Sequence, residues 1–310
     1  HYRTTPGDLW RVLDAPNIRL YAMVEGGAVV AATMVAMEGG LSEELLDVLV
    51  SGRGSVRGHA LPQSLVSHLG HRLAGAMKMV RSVRIAVHPA RRRRGLGSAL
   101  MHYVHADNEP DIFGTLFGAT PEVISFRRKG GYEPVRISAS RGARTGEPSV
   151  MMVRPVSIAA TTLFGILRAE YARDLPMQLA LLEGGPSAAL EPELRNALLE
   201  DLPPAAALCA QTERAQVMDY AFGARTFEAV ALSVARFVDL HQEHLESLTP
   251  SSRAVIEHRV VARQTWPQVT EAAGLSSPRA SMRLLRRAMR RLVELAEPAW
   301  VSETPGRDSG

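Results

Sequence analysis

The residues best placed to do chemistry lie between Arg84 and Leu100, RIAVHPARRRRGLGSAL. Ile85, Ala86 and Val87 form a short apolar run of strand type, which His88 and Pro89 stop. Arg91, Arg92, Arg93 and Arg94 follow, then Gly95-Leu96-Gly97, and Ser98-Ala99-Leu100-Met101 reads as the first turn of a helix. Strand, glycine-bearing turn and helix start together make an anion site from backbone alone. The first amides of a helix lack internal partners and sit at the positive end of its dipole. Glycine lets a phosphate approach that backbone closely. The same pattern also serves tight strand-to-helix turns for steric reasons alone, and an arginine run is often a solvated surface turn. The surrounding elements decide between these readings.

Asn17–Val24 and Val29–Met37 are β-rich runs around Glu25-Gly26-Gly27, a hairpin signal. A short helix is expected before them, over Tyr2–Asp14. Ser42 precedes Glu43 and Glu44 as an N-cap, with a helix to about Val50. Ala60–Leu73 reads as helical, with Pro62 in its first turn. Met79–Val87 is the strand feeding the glycine turn, and Gly97–Ala106 the helix after it. Asp111–Gly118 is β-like. Thr120-Pro121-Glu122 caps a helix over Glu122–Lys129, which Gly130-Gly131 ends. Tyr132–Ser138 and Val150–Val153 are strands around a Ser140–Pro148 loop. Beyond Val156 strand signals vanish. Helices are expected over Ile158–Tyr171, Met177–Leu182, Glu191–Leu199, Ala207–Ala221, Phe227–Leu248, Ser251–Arg263, Trp266–Ala273 and Pro278–Leu295, with a break at Gly184-Gly185-Pro186 and a frayed tail after Pro298. The chain is therefore read as a mixed α/β domain over 1–156 and a mostly α-helical tail domain over 157–310, with a helix-turn-helix-like segment over 251–296.

Arg92-x-x-Gly95-x-Gly97 after a strand, then a second strand and a helix ending Phe126-x-x-Lys129-Gly130-Gly131-Tyr132, resembles the GNAT N-acetyltransferase fold. That resemblance implies an α/β domain whose mixed sheet carries flanking helices. It implies acetyl-CoA as co-substrate, with its pyrophosphate on the Arg/Gln-x-x-Gly-x-Gly loop and its pantetheine arm along the preceding strand's edge. Further stretches, HYRT at His1–Thr4, Asp14-Ala15-Pro16, EGGLS at Glu38–Ser42, Gln63-Ser64-Leu65 and RIAVHPAR at Arg84–Arg91, resemble the bacterial tRNA(Met) cytidine acetyltransferases. These make N4-acetylcytidine at the wobble position of elongator tRNA(Met). In that family the acetyl-CoA contacts fall on positions matching Ile85, Ala86, Val87, Arg92, Arg93, Arg94, Gly95, Leu96, Gly97, Ser98, Glu122 and Lys129. Members often carry glutamine at the position of Arg92 and arginine at that of Lys129, where lysine loses the bidentate fork. Ser125 stands where better-known members carry an arginine. An ATP-using, helicase-like module precedes this region in the family, and the sequence holds no G-x-x-x-x-G-K-[ST]. The chain starts at His1 rather than Met and is expected to be the C-terminal part of a longer enzyme.

The acceptor implied by the resemblance is cytidine's exocyclic amine, whose lone pair is delocalised into the ring. The protein must position it on the thioester, stabilise an oxyanion and manage a proton. The resemblance points to a backbone amide around Ile85–Val87 as the oxyanion donor. His59, His68 and Glu122 are the candidates for a base, although surface histidines of this kind are commoner than bases. His88 precedes a proline and reads as a turn cap. His241 and His244, spaced i,i+3 beside Glu243 and Glu246, read as a polar helix face, so no metal is expected.

In the last helix Met282, Leu285, Met289, Leu292 and Ala296 recur at helical spacing, and Arg279, Arg283, Arg286 and Arg290 form a second face. A basic face can be merely solvated, but beside a tRNA substrate it is read as phosphate-contacting. Bulk composition agrees. The 310 residues are 46% hydrophobic with a net charge of +4. Cys209 is the only cysteine, which excludes a disulfide framework and a cysteine metal cluster and points to a reducing, cytoplasmic setting. No apolar run approaches the ~20 residues of a membrane span. Two alternatives remain open: an acetyltransferase of protein or small-molecule amines, and a non-enzymatic helix-turn-helix regulator with an acyl-CoA sensing domain.

Overall fold

The computed structural model describes residues 15–141, 146–183 and 189–302. The helix expected over Tyr2–Asp14, the middle of the Ser140–Pro148 loop, the Gly184-Gly185-Pro186 break and the end of the tail lie outside them. Two compact units are present: residues 1–50, 54–173 and 191–206 form one, and 51–53, 174–190 and 207–310 the other.

The first unit is built on one six-stranded sheet in the order β1-β2-β3-β4-β6-β5. The strands are β1 (Ile18–Glu25), β2 (Ala28–Gly39), β3 (Lys78–Val87), β4 (Ile112–Gly118), β5 (Glu133–Arg141) and β6 (Pro148–Pro155). Only β3 and β4 run parallel, as their connection through a helix requires. That helix is α3 (Leu96–Ala106), after α1 (Glu43–Val50) and the short α2 (Ala60–Gln63). Helix α3 buries Leu100, Met101 and Val104, an i, i+1, i+4 face. Helix α4 (Pro121–Arg128) starts at Thr120, whose Oγ1 accepts from the Val123 amide at 3.4 Å, with Pro121 at the first helical position. It ends where Gly131 takes φ +81°, a left-handed turn closed to most side chains. One core collects Leu61, Leu65, Met79, Ile112, Val135, Met151 and Leu167. A second, smaller one joins Leu41, Leu46, Leu49 and Val66.

Several expected helices have different limits. Ala60–Leu73 is a single α-turn followed by a π-turn over Ser64–His68 and a 3-10 turn over Arg72–Ala76. Gly70, at φ +82°, cannot continue a right-handed helix. The segments expected as Ile158–Tyr171 and Met177–Leu182 are one helix, α5 (Ile158–Leu182), with Pro176 inside it. A proline there costs ~3 kcal/mol. Leu175, Leu179 and Leu182 are buried around it, and each contributes about 1.5–3 kcal/mol, so burial wins. Residues of α5 up to Arg173 belong to the first unit, as does α6 (Pro192–Leu199).

The second unit holds α7 (Ala210–Ala221), α8 (Phe227–Leu240), α9 (Pro250–Ile256), α10 (Trp266–Ala272), α11 (Pro278–Ala296) and α12 (Pro298–Ser302). Helix α8 stops at Leu240 and a 3-10 turn covers Gln242–Ser247, while α9 passes into a π-turn over Glu257–Val261. Ser277 caps α11, its side chain accepting from the Ala280 amide. The buried face of α11 is Ser281, Leu285, Ala288, Met289, Leu292 and Val293. Met282, expected on that face, is 41% exposed.

Candidate active site

Strand β3 carries one extra residue. Met34 of β2 pairs with Arg84 and Val35 with Ser82, so Val83 is a bulge. The parallel pairing with β4 begins at Met79↔Ile112 and stops at Ser82↔Thr115, one residue before the bulge. From there β3 runs on to Val87 with β2 as its strand neighbour, while β4 runs on to Gly118 paired to β6. The two strands thus part in the middle of the sheet. A bulge bends its strand and raises its twist, which is what ends a ladder.

The point of parting is held by side chains. Thr33 Oγ1 donates to the Arg84 carbonyl at 2.7 Å, and Thr115 Oγ1 donates to the Ser82 carbonyl at 3.2 Å. Thr33, Thr115 and Ser82 are all buried. Arg127 of α4 reaches the same place and donates to Ser82 Oγ at 2.8 Å. Its guanidinium is buried between the Phe126 and Tyr132 rings, 5.4 and 5.7 Å from their centroids. Burial pulls its pKa down. A small cavity of roughly 10 Å³, lined by Thr33, Ser82, Ile85, Met101, Arg127 and Tyr132, sits at the apex.

Tyr132 is nine-tenths or more buried, and its hydroxyl lies 2.9 Å from His105 Nε2. Burial pushes the phenol up to about 12. Burial, helped by Arg154, His102 and Arg127, pushes His105 down to about 4. The tyrosine therefore donates and the neutral imidazole accepts. Between pH 6.5 and 4 the unfolded chain takes up a proton that folded His105 refuses, so stability falls as pH drops through that window and is unaffected above it. The effect is about 1–2 kcal/mol once solvent screening of this half-exposed ring is allowed for. Denaturant midpoints at pH 7 and pH 4.5 will show it, and His105→Gln will remove His105's share.

Beyond Val87 the chain enters the loop to α3. His88 Nδ1 accepts from the Ala90 amide at 3.3 Å and so caps the turn. Arg91 pairs with Glu25 at 3.2 Å. Arg92, Arg93 and Arg94 are exposed and meet no carboxylate among the described residues. Arg93 at φ 60° and Gly95 at φ 79° are both left-handed, the kind of turn that gathers successive amides toward an anion. Gly95 is the N-cap of α3, and nothing lies within 4 Å of where its Cβ would be.

The other expected site residues are more scattered. Glu122 and Lys129 are exposed at opposite ends of α4. His59 Nδ1 accepts from the Gly39 amide at 3.0 Å, which ties that nitrogen to the fold. His68 ends the π-turn and is half-buried. In the second unit Arg279 and Arg283 are exposed. Arg286 turns inward instead: it donates to the backbone carbonyls of Tyr220, Gly223 and Arg225 and lies 4.7 Å over the Tyr220 ring. Arg290 Nε donates to the Ala221 carbonyl at 3.3 Å and covers Phe222. These two arginines satisfy carbonyls at the end of α7 and beyond it, Arg286 half-buried and Arg290 still exposed. His241, Glu243 and His244 have ligand-type atoms within 4.8 Å of one another, with His241 also 3.8 Å from Glu297.

Residues 1–110 match the protein family described as GNAT acetyltransferase 2. The chain carries a GNAT acetyltransferase domain. Over 94% of its length it is 34% identical to tRNA(Met) cytidine acetyltransferase TmcA of Nitrosococcus halophilus, of which it covers 40%. Over 98% of its length it is 34% identical to the protein of that name from Haloarcula marismortui, of which it covers 39%. The chain thus spans about 40% of the length of the curated relatives it matches. Arabidopsis thaliana NAA60, solved in complex with acetyl-CoA, superposes with a TM-score of 0.34 at 14% identity, covering 50% of this chain and 85% of that one. No helix among the described residues is long and apolar enough to cross a membrane.

Sequence reasoning located the loop and the exposed strand of the GNAT domain. It missed the polar apex of Thr33, Ser82, Thr115 and Arg127, because those four come from separate elements and share no local pattern. The one available signal was Arg127 itself, a cation three residues after the apolar Ile124 and so on the same face of α4, where both are buried.

Proposed function

We propose that the GNAT domain transfers an acetyl group from acetyl-CoA to the N4 amine of a cytidine in tRNA, the wobble cytidine of elongator tRNA(Met). The observation that carries this is the parting of β3 from β4 ahead of the left-handed Gly95 turn that opens α3. The similarity along almost the whole chain to proteins named tRNA(Met) cytidine acetyltransferase supports the choice of acceptor.

The residues present fit the co-substrate. The left-handed Gly95 has open space over it, the amides of Leu96, Gly97 and Ser98 start α3, and Arg92, Arg93 and Arg94 are exposed just before it. These would hold the pyrophosphate and 3′-phosphate. Ile85, Ala86 and Val87 offer a strand edge to an extended amide-bearing arm. Glu122 and Lys129 are exposed at the two ends of α4. Bound there, acetyl-CoA supplies the acyl group as a thioester.

The chain's own contribution is positioning. The bulge at Val83 fixes where the strand edge opens. Thr33 and Thr115 satisfy β3 carbonyls at that point, so the edge is held by β2 and these side chains without a neighbour on the β4 side. His59, His68 and Glu122 remain the base candidates, with His59 restricted to Nε2. In the helical unit, Arg279, Arg283 and Arg290 are the exposed residues of the expected RNA face, open to a phosphate backbone.

Nucleoside mass spectrometry of elongator tRNA(Met) tests the reading. Cells with the gene disrupted will lack N4-acetylcytidine, and the gene restored will return it. Persistence of the modified base would overturn it.

A further inference from the structure

We propose that the helical unit contains a receptor for one unpaired, amine-bearing nucleobase, in the cleft between the first turns of α8, α10 and α11. The proposal rests on the reading of RNA as partner and adds what part of the RNA this unit recognises.

The cleft has a volume of about 230 Å³. Trp266 forms one wall, half-buried at the start of α10. Phe227 stands edge-on to it, centroids 5.8 Å apart at 77°. Arg259 is stacked behind both rings, 4.9 Å from Trp266 and 4.6 Å from Phe227, which fixes the indole in place. A rigid, half-exposed aromatic face is a surface on which a flat base can stack.

The polar groups narrow the ligand further. Glu228 Oε1 accepts from Trp266 Nε1 at 2.8 Å, which leaves Oε2 to accept from something else. Tyr220 lines the same cleft, and its buried hydroxyl has no hydrogen-bond partner among the described residues. Burial raises the pKa of that phenol, so it stays a neutral donor. A carboxylate inside the cleft repels a bare anion and seeks an N–H. Cytosine, adenine and guanine present an exocyclic amine there, whereas uracil offers only its N3–H, flanked by two carbonyl oxygens that a carboxylate repels. Arg279 and Arg283 at the mouth supply the opposite charge, where the flanking phosphates of a stacked nucleotide would lie. Arg286 also lines the cleft, but it donates to the Tyr220, Gly223 and Arg225 carbonyls. Aromatic wall, acceptor within and exposed cations at the mouth is the polarity of a nucleotide, base inward.

The test uses the whole chain with Trp10→Phe and Trp300→Phe, so that emission reports Trp266 alone. Single-stranded oligocytidylate will quench that emission and bind about fivefold more tightly than oligouridylate. Glu228→Gln keeps the bond to Trp266 but replaces the free acceptor with a donor, so the preference for cytosine will vanish or invert while binding persists. Arg279→Ser with Arg283→Ser will weaken both oligonucleotides alike. Absence of quenching by oligocytidylate, or an unchanged preference in Glu228→Gln, would overturn the receptor. If tRNA binding and N4-acetylcytidine formation stand while quenching fails, the receptor alone is wrong. If quenching holds while disrupted cells keep N4-acetylcytidine, the receptor stands and the acetyltransfer reading falls.

Discussion

Gly97→Asp will weaken acetyl-CoA binding by at least about 100-fold, some 2.7 kcal/mol, without lowering the melting temperature. The two halves of that expectation have separate causes. Gly97 is the second residue of α3, and a Cβ there would lie 3.4 Å from Phe126 Cε2 and 3.5 Å from Val87 Cγ2. These are ordinary contacts that a methylene can make. Leaving glycine behind in a helix is favourable by a few tenths of a kcal/mol, and an acid in the first turn adds about 0.3–1 kcal/mol through the dipole. The fold therefore tolerates the change. The ligand does not, because the carboxylate occupies the amides meant for the pyrophosphate and repels its charge. Gly97→Ala adds the methyl without the charge and will cost far less affinity. Calorimetric titration with acetyl-CoA, alongside scanning calorimetry, separates the two effects. Equal affinity in Gly97→Asp and wild type would remove the loop from the binding site.

Arg81→Ala will destabilise the GNAT domain by about 3–5 kcal/mol, a fall in melting temperature of about 10 °C. Arg81 Nε lies 2.6 Å from Glu38 Oε1, and the Glu38 side chain is wholly buried. Glu38 Oε2 also accepts from the Leu61 amide at 2.8 Å. One carboxylate thus joins β2, β3 and the start of α2. Removing the arginine strands a charge where water cannot reach it, which costs more than the pair contributes when intact. The double change Glu38→Leu, Arg81→Met will recover about half of the loss. A deficit of about 1–3 kcal/mol will remain, because the Leu61 amide still lacks its acceptor. Chemical denaturation of the three variants checks this. A loss below about 1 kcal/mol in Arg81→Ala would show that the pair is solvated.

What was legible in the sequence was local. Gly95, Gly97 and the apolar run before them announce a strand, a turn and a helix start within a few residues, and the structure has them there. Thr120-Pro121 and Gly130-Gly131 mark the two ends of α4 equally well. The bulge at Val83 was not legible, since it exists only as a mismatch between β2 and β3, whose partners lie some fifty positions apart. The arginines of α11 show the same limit. Spacing places Arg279, Arg283, Arg286 and Arg290 on one face, but it cannot say that the carbonyls of Tyr220, Gly223 and Arg225 wait beside Arg286 and that of Ala221 beside Arg290. An arginine that satisfies the end of another helix and one that meets solvent have the same sequence signature.

The bulge at Val83 also bears on how this sheet is protected. An open sheet has two rims, and proteins blunt them with charges, prolines or covering loops against pairing with a foreign strand. Where β3 and β4 separate, two further half-rims are created inside the sheet, flanked by Ile85, Ala86 and Val87 on one side and Leu116 and Phe117 on the other. None of those five carries a charge. A molecule with this gap open is one extended segment short of a continuous sheet, so the occupant of the gap guards the chain against misassociation as well as serving its chemistry.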